Sequence, residues 1–146
     1  MIPELKQLFD RDIQKIAKEI EAFQQEENLW KKIGTVPNTA GNLAMHLVGN
    51  LKNYIGKNLG EIPYTRDREA EFNASGKTKA QLVAEIWETR EAVMKALDKI
   101  TESKLDEDHP EQVFAEPLTN RMFLMHLLAH LSYHLGQLNY LRRTLE

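Results

Sequence analysis

The chain has 146 residues, a formal net charge of −3 and no cysteine. The lack of cysteine excludes disulfides, thiolate metal sites and cysteine nucleophiles, so any bound metal would be held by imidazole or carboxylate. Because lysine and arginine are interspersed with acidic residues, we expect no binding of nucleic acid. The length is typical of one domain, and we expect residues 1–146 to form a single domain.

Apolar runs in the sequence are short. None approaches the roughly 20 residues that a membrane-spanning helix needs. The segment from Met1 to Lys6 alternates charged and apolar side chains, which is not the pattern of a signal peptide. We therefore expect a protein that resides in the cytoplasm and does not associate with membranes.

Helical periodicity marks the first two elements. Apolar residues recur every three or four positions over residues 3–26, which predicts an amphipathic helix there. A glycine and a proline interrupt the pattern over residues 31–37. A second helix follows to about Lys57, with Asn38 or Thr39 as its N-terminal cap. Its apolar positions are Leu43, Leu47, Leu51, Tyr54 and Ile55.

The second half of the chain contains two further helical patterns. Residues 58–77 carry glycine, proline and many charges without periodicity, so we interpret them as a long crossover connection. Thr78 and Gln81 have the spacing of a capping box, which predicts a third helix. An acidic loop over residues 102–117 precedes a fourth helix, which Thr119 can cap. Four long helices with a long crossover between the second and the third predict an all-α four-helix bundle.

The last predicted helix is apolar around most of its circumference. Met122, Met125, Tyr133 and Tyr140 extend its apolar character well beyond the side that faces the core. A helix of this kind is either central to its fold or buried against a second chain. We therefore expect a homodimer formed through the last helix, with broad packing inside one chain as the alternative.

Histidines are concentrated in the second and last helices. His126, His130 and His134 repeat every four residues, so they share one helix face, which overlaps the apolar side. His46 lies close to the inward side of the second helix. A buried neutral imidazole carries one donor and one acceptor, and aliphatic neighbours can satisfy neither.

Metal binding would explain these imidazoles. Two histidines four residues apart on one helix, joined by a third from a facing helix, leave one coordination position open for water or substrate. We therefore predict a divalent metal ion held by His46, His130 and His134, with His126 beside the site or lining its pocket. A hydrogen-bond network of the same histidines without metal is the alternative.

Other residues give weaker indications. His109 lies in the acidic loop and is expected to be solvated. Glu88, Arg90 and Glu91 are interpreted as a solvated face of the third helix. The Glu-x-x-His pairs of di-iron bundles and the His-Glu-x-x-His string of metalloproteases are absent from the sequence. The catalytic residues therefore stay unassigned.

The last helix resembles that of the DinB-like family, which includes relatives of bacillithiol transferases. In that family a His-x-x-x-His pair is followed by Arg-Gly-Gln or a close variant. Here His130 and His134 are followed by Leu135, Gly136 and Gln137. The second helix of such proteins supplies the remaining histidine, which His46 would match. The resemblance covers essentially the whole chain, although Leu135 replaces the frequent arginine and any anionic contact of that arginine.

The resemblance implies a four-helix bundle, commonly dimeric, with one zinc, nickel or similar ion held by three histidines. Family members include transferases and isomerases that use low-molecular-weight thiols. For this chain the resemblance implies a small-molecule substrate and a thiol cofactor, and hence a metal-dependent S-transferase or hydrolase. A non-catalytic, metal-binding dimer that senses stress or stores an ion is the alternative. Gly136 could permit a close helix approach, and Gln137 could bond a ligand histidine.

Overall fold

Five α-helices and no β-strand make up the computed structural model, which describes all 146 residues. The helices are α1 (Ile2–Ala22), α2 (Ala40–Leu51), α3 (Arg68–Asn73), α4 (Lys79–Lys99) and α5 (Asn120–Leu145). The four long helices and the connection between α2 and α4 confirm the predicted all-α bundle with its crossover. None of the helices combines the length and apolar character that a membrane span requires.

Helix α2 lies at the centre of the bundle. All of its residues are buried, and it contacts α3, α4 and α5. The hydroxyl of Thr39 caps it by accepting the backbone N–H of Asn42 at 3.1 Å. A π-helical turn over Lys52–Lys57 continues the helix to its predicted end. Because α2 is covered on all sides, a polar side chain on it must find its partner inside the protein.

Helix α1 ends at Ala22, whereas the sequence predicted helix to residue 26. The carboxylate of Glu146 accepts the backbone N–H groups of Gln24 at 2.9 Å and of Gln25 at 3.0 Å. These N–H groups are therefore bound by a side chain from the far end of the sequence rather than by a continuing helix. The residues that follow form a short 3-10 turn, Glu26–Trp30.

The two predicted caps of the later helices are present. Thr78 accepts the N–H of Gln81 at 3.1 Å, and the Gln81 side chain accepts the N–H of Thr78 at 2.9 Å, which completes a capping box. Thr119 accepts the N–H of Met122 at 3.1 Å. The crossover, in which the sequence showed no helical periodicity, contains the short helix α3, which Asp67 caps.

His109 is buried, so the expectation that it is solvated is wrong. Its Nε2–H donates to the carbonyl oxygen of Tyr54 at 3.0 Å, and its Nδ1 accepts the N–H of Glu111 at 3.2 Å. The ring also lies edge-on to Phe123, with 4.3 Å between centroids. His109 therefore anchors the acidic loop to the two helices that carry the other histidines.

One face of α5 is exposed to solvent. Met122, Met125, Tyr133 and Tyr140 expose 53, 47, 65 and 74% of their surface. Broad packing within one chain, the alternative to a dimer, therefore does not cover these side chains. The homodimer stays a prediction.

Candidate metal centre

Three histidines from two helices meet inside the bundle. His46 on α2 is buried, and His130 and His134 on α5 are half-buried. The Nε2 atom of His130 lies 3.1 Å from Nε2 of His46 and 3.1 Å from Nε2 of His134. The candidate ligand atoms of the three residues all lie within 4.8 Å of one another. The structure thus brings together the residues that the sequence predicted as ligands, and the cluster could hold a metal ion.

The separations between these nitrogens suit a divalent transition metal. Metal–nitrogen bonds of about 2.0–2.1 Å in tetrahedral geometry place two ligand nitrogens about 3.3 Å apart. Two of the pairs in the cluster lie at 3.1 Å, slightly closer than that value. Small rotations of the side chains would therefore suffice to bind one ion.

The outer nitrogens of two of these rings are bound to oxygen acceptors. Nδ1 of His46 lies 3.1 Å from Oε1 of Glu71, and Nδ1 of His134 lies 2.7 Å from Oε1 of Gln137. Because an oxygen of this kind can only accept, each Nδ1 carries the hydrogen and the neutral ring presents a lone pair at Nε2. Such outer partners are characteristic of metal-binding histidines.

A hydrogen-bond network without metal would leave this cluster incompletely paired. A neutral His130 can donate one hydrogen from Nε2, so it can satisfy the lone pair of either His46 or His134 but not both. Its own Nδ1 is buried without a partner in the chain whether or not an ion is bound, so this atom does not distinguish the two cases. A cation at the centre would accept all three Nε2 lone pairs at once. The donor chemistry therefore favours a metal ion over the metal-free network.

The electrostatic environment keeps the α5 pair neutral. Burial and the neighbouring histidines lower the pKa of His130 to about 3. Burial also lowers the pKa of His134, although the hydrogen bond with Gln137 opposes this shift. A metal ion binds the neutral imidazole, so both rings are in the competent form at neutral pH.

Glu71 of α3 belongs to the cluster and was missed by the sequence analysis. Its side chain is buried, and its carboxylate is paired with Arg66 through contacts of 2.8 Å to Nε and 2.9 Å to Nη2. Burial acts to raise the pKa of Glu71, but the hydrogen bonds with His46 and Arg66 outweigh it and lower the pKa. The ionised carboxylate therefore holds the Nδ1–H of His46 and orients Nε2 toward the other histidines.

Two residues of α2 fit this helix to Glu71. A Cβ atom at Gly49 would overlap Oε2 of Glu71, so a larger residue there would displace the carboxylate. The Asn42 side chain donates to the carbonyl oxygens of Glu71 at 3.0 Å and of Ala74 at 2.8 Å, which fixes α3 against α2. In the sequence, a glycine and an asparagine within the apolar helix α2 indicate that this helix packs against a polar group. They do not identify Glu71 as that group.

The remaining predicted residues lie around the cluster. His126 is exposed, although its ring stacks on His130 with 6.3 Å between centroids, so it lies beside the site as predicted. Gln137 bonds a cluster histidine, as suggested from the resemblance. No helix of the same chain approaches Gly136 closely, because a Cβ there would contact nothing within 4 Å.

Comparisons with known proteins agree with the fold. A family model described as "Protein of unknown function (DUF1572)" matches residues 2–146. The crystal structure of a DinB-like protein from Bacillus cereus ATCC 10987 superposes with a TM-score of 0.71 at 20% identity, covering 91% of this chain and 85% of that chain. This likeness confirms the predicted DinB-like fold. No curated protein matches the chain.

Proposed function

We propose a metal-dependent enzymatic function for this chain, which belongs to the DUF1572 family of proteins of unknown function. The proposal assigns one divalent ion to His46, His130 and His134. The observation that supports it is the convergence of three Nε2 atoms, two of them on rings whose Nδ1 hydrogens are bound to outer oxygens. This arrangement leaves lone pairs that no hydrogen in the cluster can satisfy together.

The three imidazoles determine the chemistry of the proposed site. A divalent ion held by three histidines lowers the pKa of a water or thiol bound at its open position and so supplies a nucleophile near neutral pH. Neutral imidazoles add no charge to the site, and Arg66 balances the carboxylate of Glu71. Because the chain has no cysteine, a reacting thiol would come from a small molecule. We therefore propose a thiol-dependent S-transferase, or a hydrolase if water is the nucleophile.

Zinc or nickel is the proposed ion. Imidazole binds both of these metals, and the protein offers neither the thiolates that favour copper(I) nor a set of carboxylates that would favour manganese or magnesium. Zinc accepts tetrahedral coordination with three histidines and one further ligand.

A second candidate is a non-catalytic metal-binding dimer. This candidate is favoured by the contacts of Glu71, whose carboxylate is already bound by Arg66 and His46. The carboxylate is therefore not free to act as a general base. The site would then hold an ion without turning over a substrate.

We propose a homodimer through α5 for both candidates. Ala129 and Gly136 lie seven residues apart on the exposed face of the helix, among exposed Met125, Tyr133 and Tyr140. Small residues between larger apolar ones would let two such helices approach closely and bury the methionine and tyrosine side chains.

A turnover assay distinguishes the proposed enzyme from the non-catalytic metal-binding dimer. Untagged protein loaded with zinc or nickel would be incubated with a panel of small thiols and electrophiles, and with activated esters for hydrolysis. We expect a metal-dependent rate that His130→Ala abolishes and that Lys15→Gln, which removes an exposed charge from α1, leaves unchanged. Metal binding with no rate above that of His130→Ala for any member of the panel would favour the second candidate.

A further inference from the structure

We propose that a cavity beside the histidine cluster binds a small carboxylate, with Arg68 as its anchor; this inference names the substrate class of the proposed enzyme and rests on that function. The cavity has a volume of about 160 Å³ and lies between the crossover, α2 and α5. His46 and His130 form part of its wall, so a molecule in it would lie against two of the three cluster histidines. The size suits a ligand of a few atoms, smaller than typical drug-sized ligands.

Arg68 provides a positive charge that the chain itself does not neutralise. Its neighbour Arg66 also lines the cavity but is bound through two contacts to Glu71. Arg68 has neither a salt bridge nor a side-chain hydrogen bond within the chain, and its side chain is exposed. A free guanidinium at the edge of a cavity is suited to paired hydrogen bonds with a carboxylate.

Two side chains that line the cavity, Asn50 and His130, each carry a buried polar atom without a partner in the chain. Asn50 is 7% exposed, and its Oδ1 is buried without a donor. Nδ1 of His130 is also buried without a partner, and it would carry a hydrogen when Nε2 binds a cation. One acceptor and one donor on residues of the cavity wall therefore lack partners, which favours a ligand that also carries a polar group.

Apolar side chains complete the wall and restrict the ligand further. Phe114, Phe123 and Leu127 lie on the side of α5 and the acidic loop. A molecule that fits has a carboxylate for Arg68, a short apolar segment, and a polar group next to Asn50 and His130. A thiol on the same molecule would lie next to His46 and His130, the two cluster histidines that line the cavity.

Three thiols of similar size test the preference for a carboxylate. Protein loaded with cobalt(II) would be titrated with 3-mercaptopropionate, 2-mercaptoethanol and 2-aminoethanethiol, following the absorption band between thiolate and metal. We expect 3-mercaptopropionate to bind about three- to tenfold more tightly than 2-mercaptoethanol, the range of an ordinary hydrogen bond, because solvent screens the exposed guanidinium. 2-Aminoethanethiol carries the opposite charge and serves as the comparison for the Arg68→Glu variant.

Charge reversal tests the role of Arg68. Relative to the wild type, Arg68→Glu should weaken the binding of 3-mercaptopropionate and strengthen that of 2-aminoethanethiol. Lys15→Glu, a matched reversal on the exposed face of α1, should keep the wild-type order. Equal binding of the three thiols by the wild type, or unchanged affinities in Arg68→Glu, would overturn the proposal without affecting the metal site.

A second experiment tests carboxylate binding without a metal ion. Metal-free protein would be titrated by NMR with lactate and with propane-1,2-diol, which lacks the carboxylate. We expect shifts at Asn50 and Arg68 with lactate alone, and their loss in Arg68→Glu. Lactate binding without any metal binding would refute the proposed function and retain the carboxylate site, whereas shifts with neither compound would refute the carboxylate site.

Discussion

The Nδ1 atom of His46 lies 3.1 Å from the Oε1 atom of Glu71, so a carboxylate from the crossover orients a histidine of the central helix. The two residues are separated by 25 positions in the sequence. The same carboxylate is bound by Arg66, which keeps it ionised inside the protein. The crossover is therefore part of the candidate metal centre and not only a connection between helices.

Removal of Glu71 should weaken metal binding. Glu71→Ala is expected to raise the dissociation constant for zinc about 10- to 100-fold, because the Nδ1–H of His46 loses its acceptor. Glu71→Gln keeps an acceptor oxygen but not the charge, so an intermediate value is expected. Competition with a chromophoric chelator measures these constants. Glu69→Ala, which removes an exposed carboxylate from the same helix, is the control, and wild-type affinity in Glu71→Ala would contradict the role of this residue.

Gly49 should be intolerant of a methyl group. Gly49→Ala would bring a Cβ onto Oε2 of Glu71, and we expect a loss of about 1–3 kcal/mol in the free energy of unfolding together with weaker metal binding. Urea unfolding measures the loss. Gly56→Ala is the matched helical control, since its Cβ would lie at an ordinary contact distance of 3.4 Å from the Cβ of Ala92, and any change in its free energy of unfolding should stay within about 1 kcal/mol. A fully stable Gly49→Ala protein would show that the carboxylate is not held against α2.

The fold and the histidine cluster were predictable because their patterns are local. Helical periodicity located the long helices, and the spacing of His130 and His134 placed both rings on one helix face. The hydroxyls of Thr39 and Thr119 each accept a backbone N–H three residues further along the chain. Because an N-terminal cap acts over so short a distance, it can be predicted from local sequence. The inward direction of His46 followed from the apolar neighbours in its helix.

The features that were missed depend on contacts between distant parts of the chain. Glu71 lies in a segment without periodicity, and its place is set by Asn42 on another helix. The acidic neighbours of His109 suggested exposure, but a carbonyl oxygen of α2's extension binds its ring. The end of α1 depends on Glu146, at the far end of the sequence. No local pattern contains these partners.

Acid should destabilise the metal-free protein through His130. The pKa of this imidazole is about 3 in the folded chain, against an ordinary value of 6.5. As the pH falls below 6.5, this imidazole becomes protonated in the unfolded chain, whereas in the folded chain it stays neutral until the pH nears 3. The free energy of unfolding therefore decreases over this range. His130→Gln should flatten the decrease. Urea unfolding in the presence of a chelator at several pH values provides the test, and a profile identical to that of the wild type would contradict the prediction.

The exposed face of α5 should mediate self-association. The double substitution Met125→Lys and Tyr133→Lys is expected to raise the dimer dissociation constant at least about 100-fold, because unpaired charges would be buried at the interface. Sedimentation equilibrium measures the constant, and circular dichroism checks that the helices persist. Trp87→Lys replaces a side chain on α4 that is 40% exposed and should leave association unchanged. A monomeric wild-type protein would refute the dimer.

The metal content of untagged protein tests the central claim most directly. Protein purified from cells supplied with zinc and nickel, without metal-affinity resin, should contain one ion per chain by elemental analysis. His46→Ala, His130→Ala and His134→Ala should each lose the ion, and His126→Ala should retain it. A wild-type protein without metal, or full occupancy in the His46→Ala variant, would contradict a shared cation at this cluster.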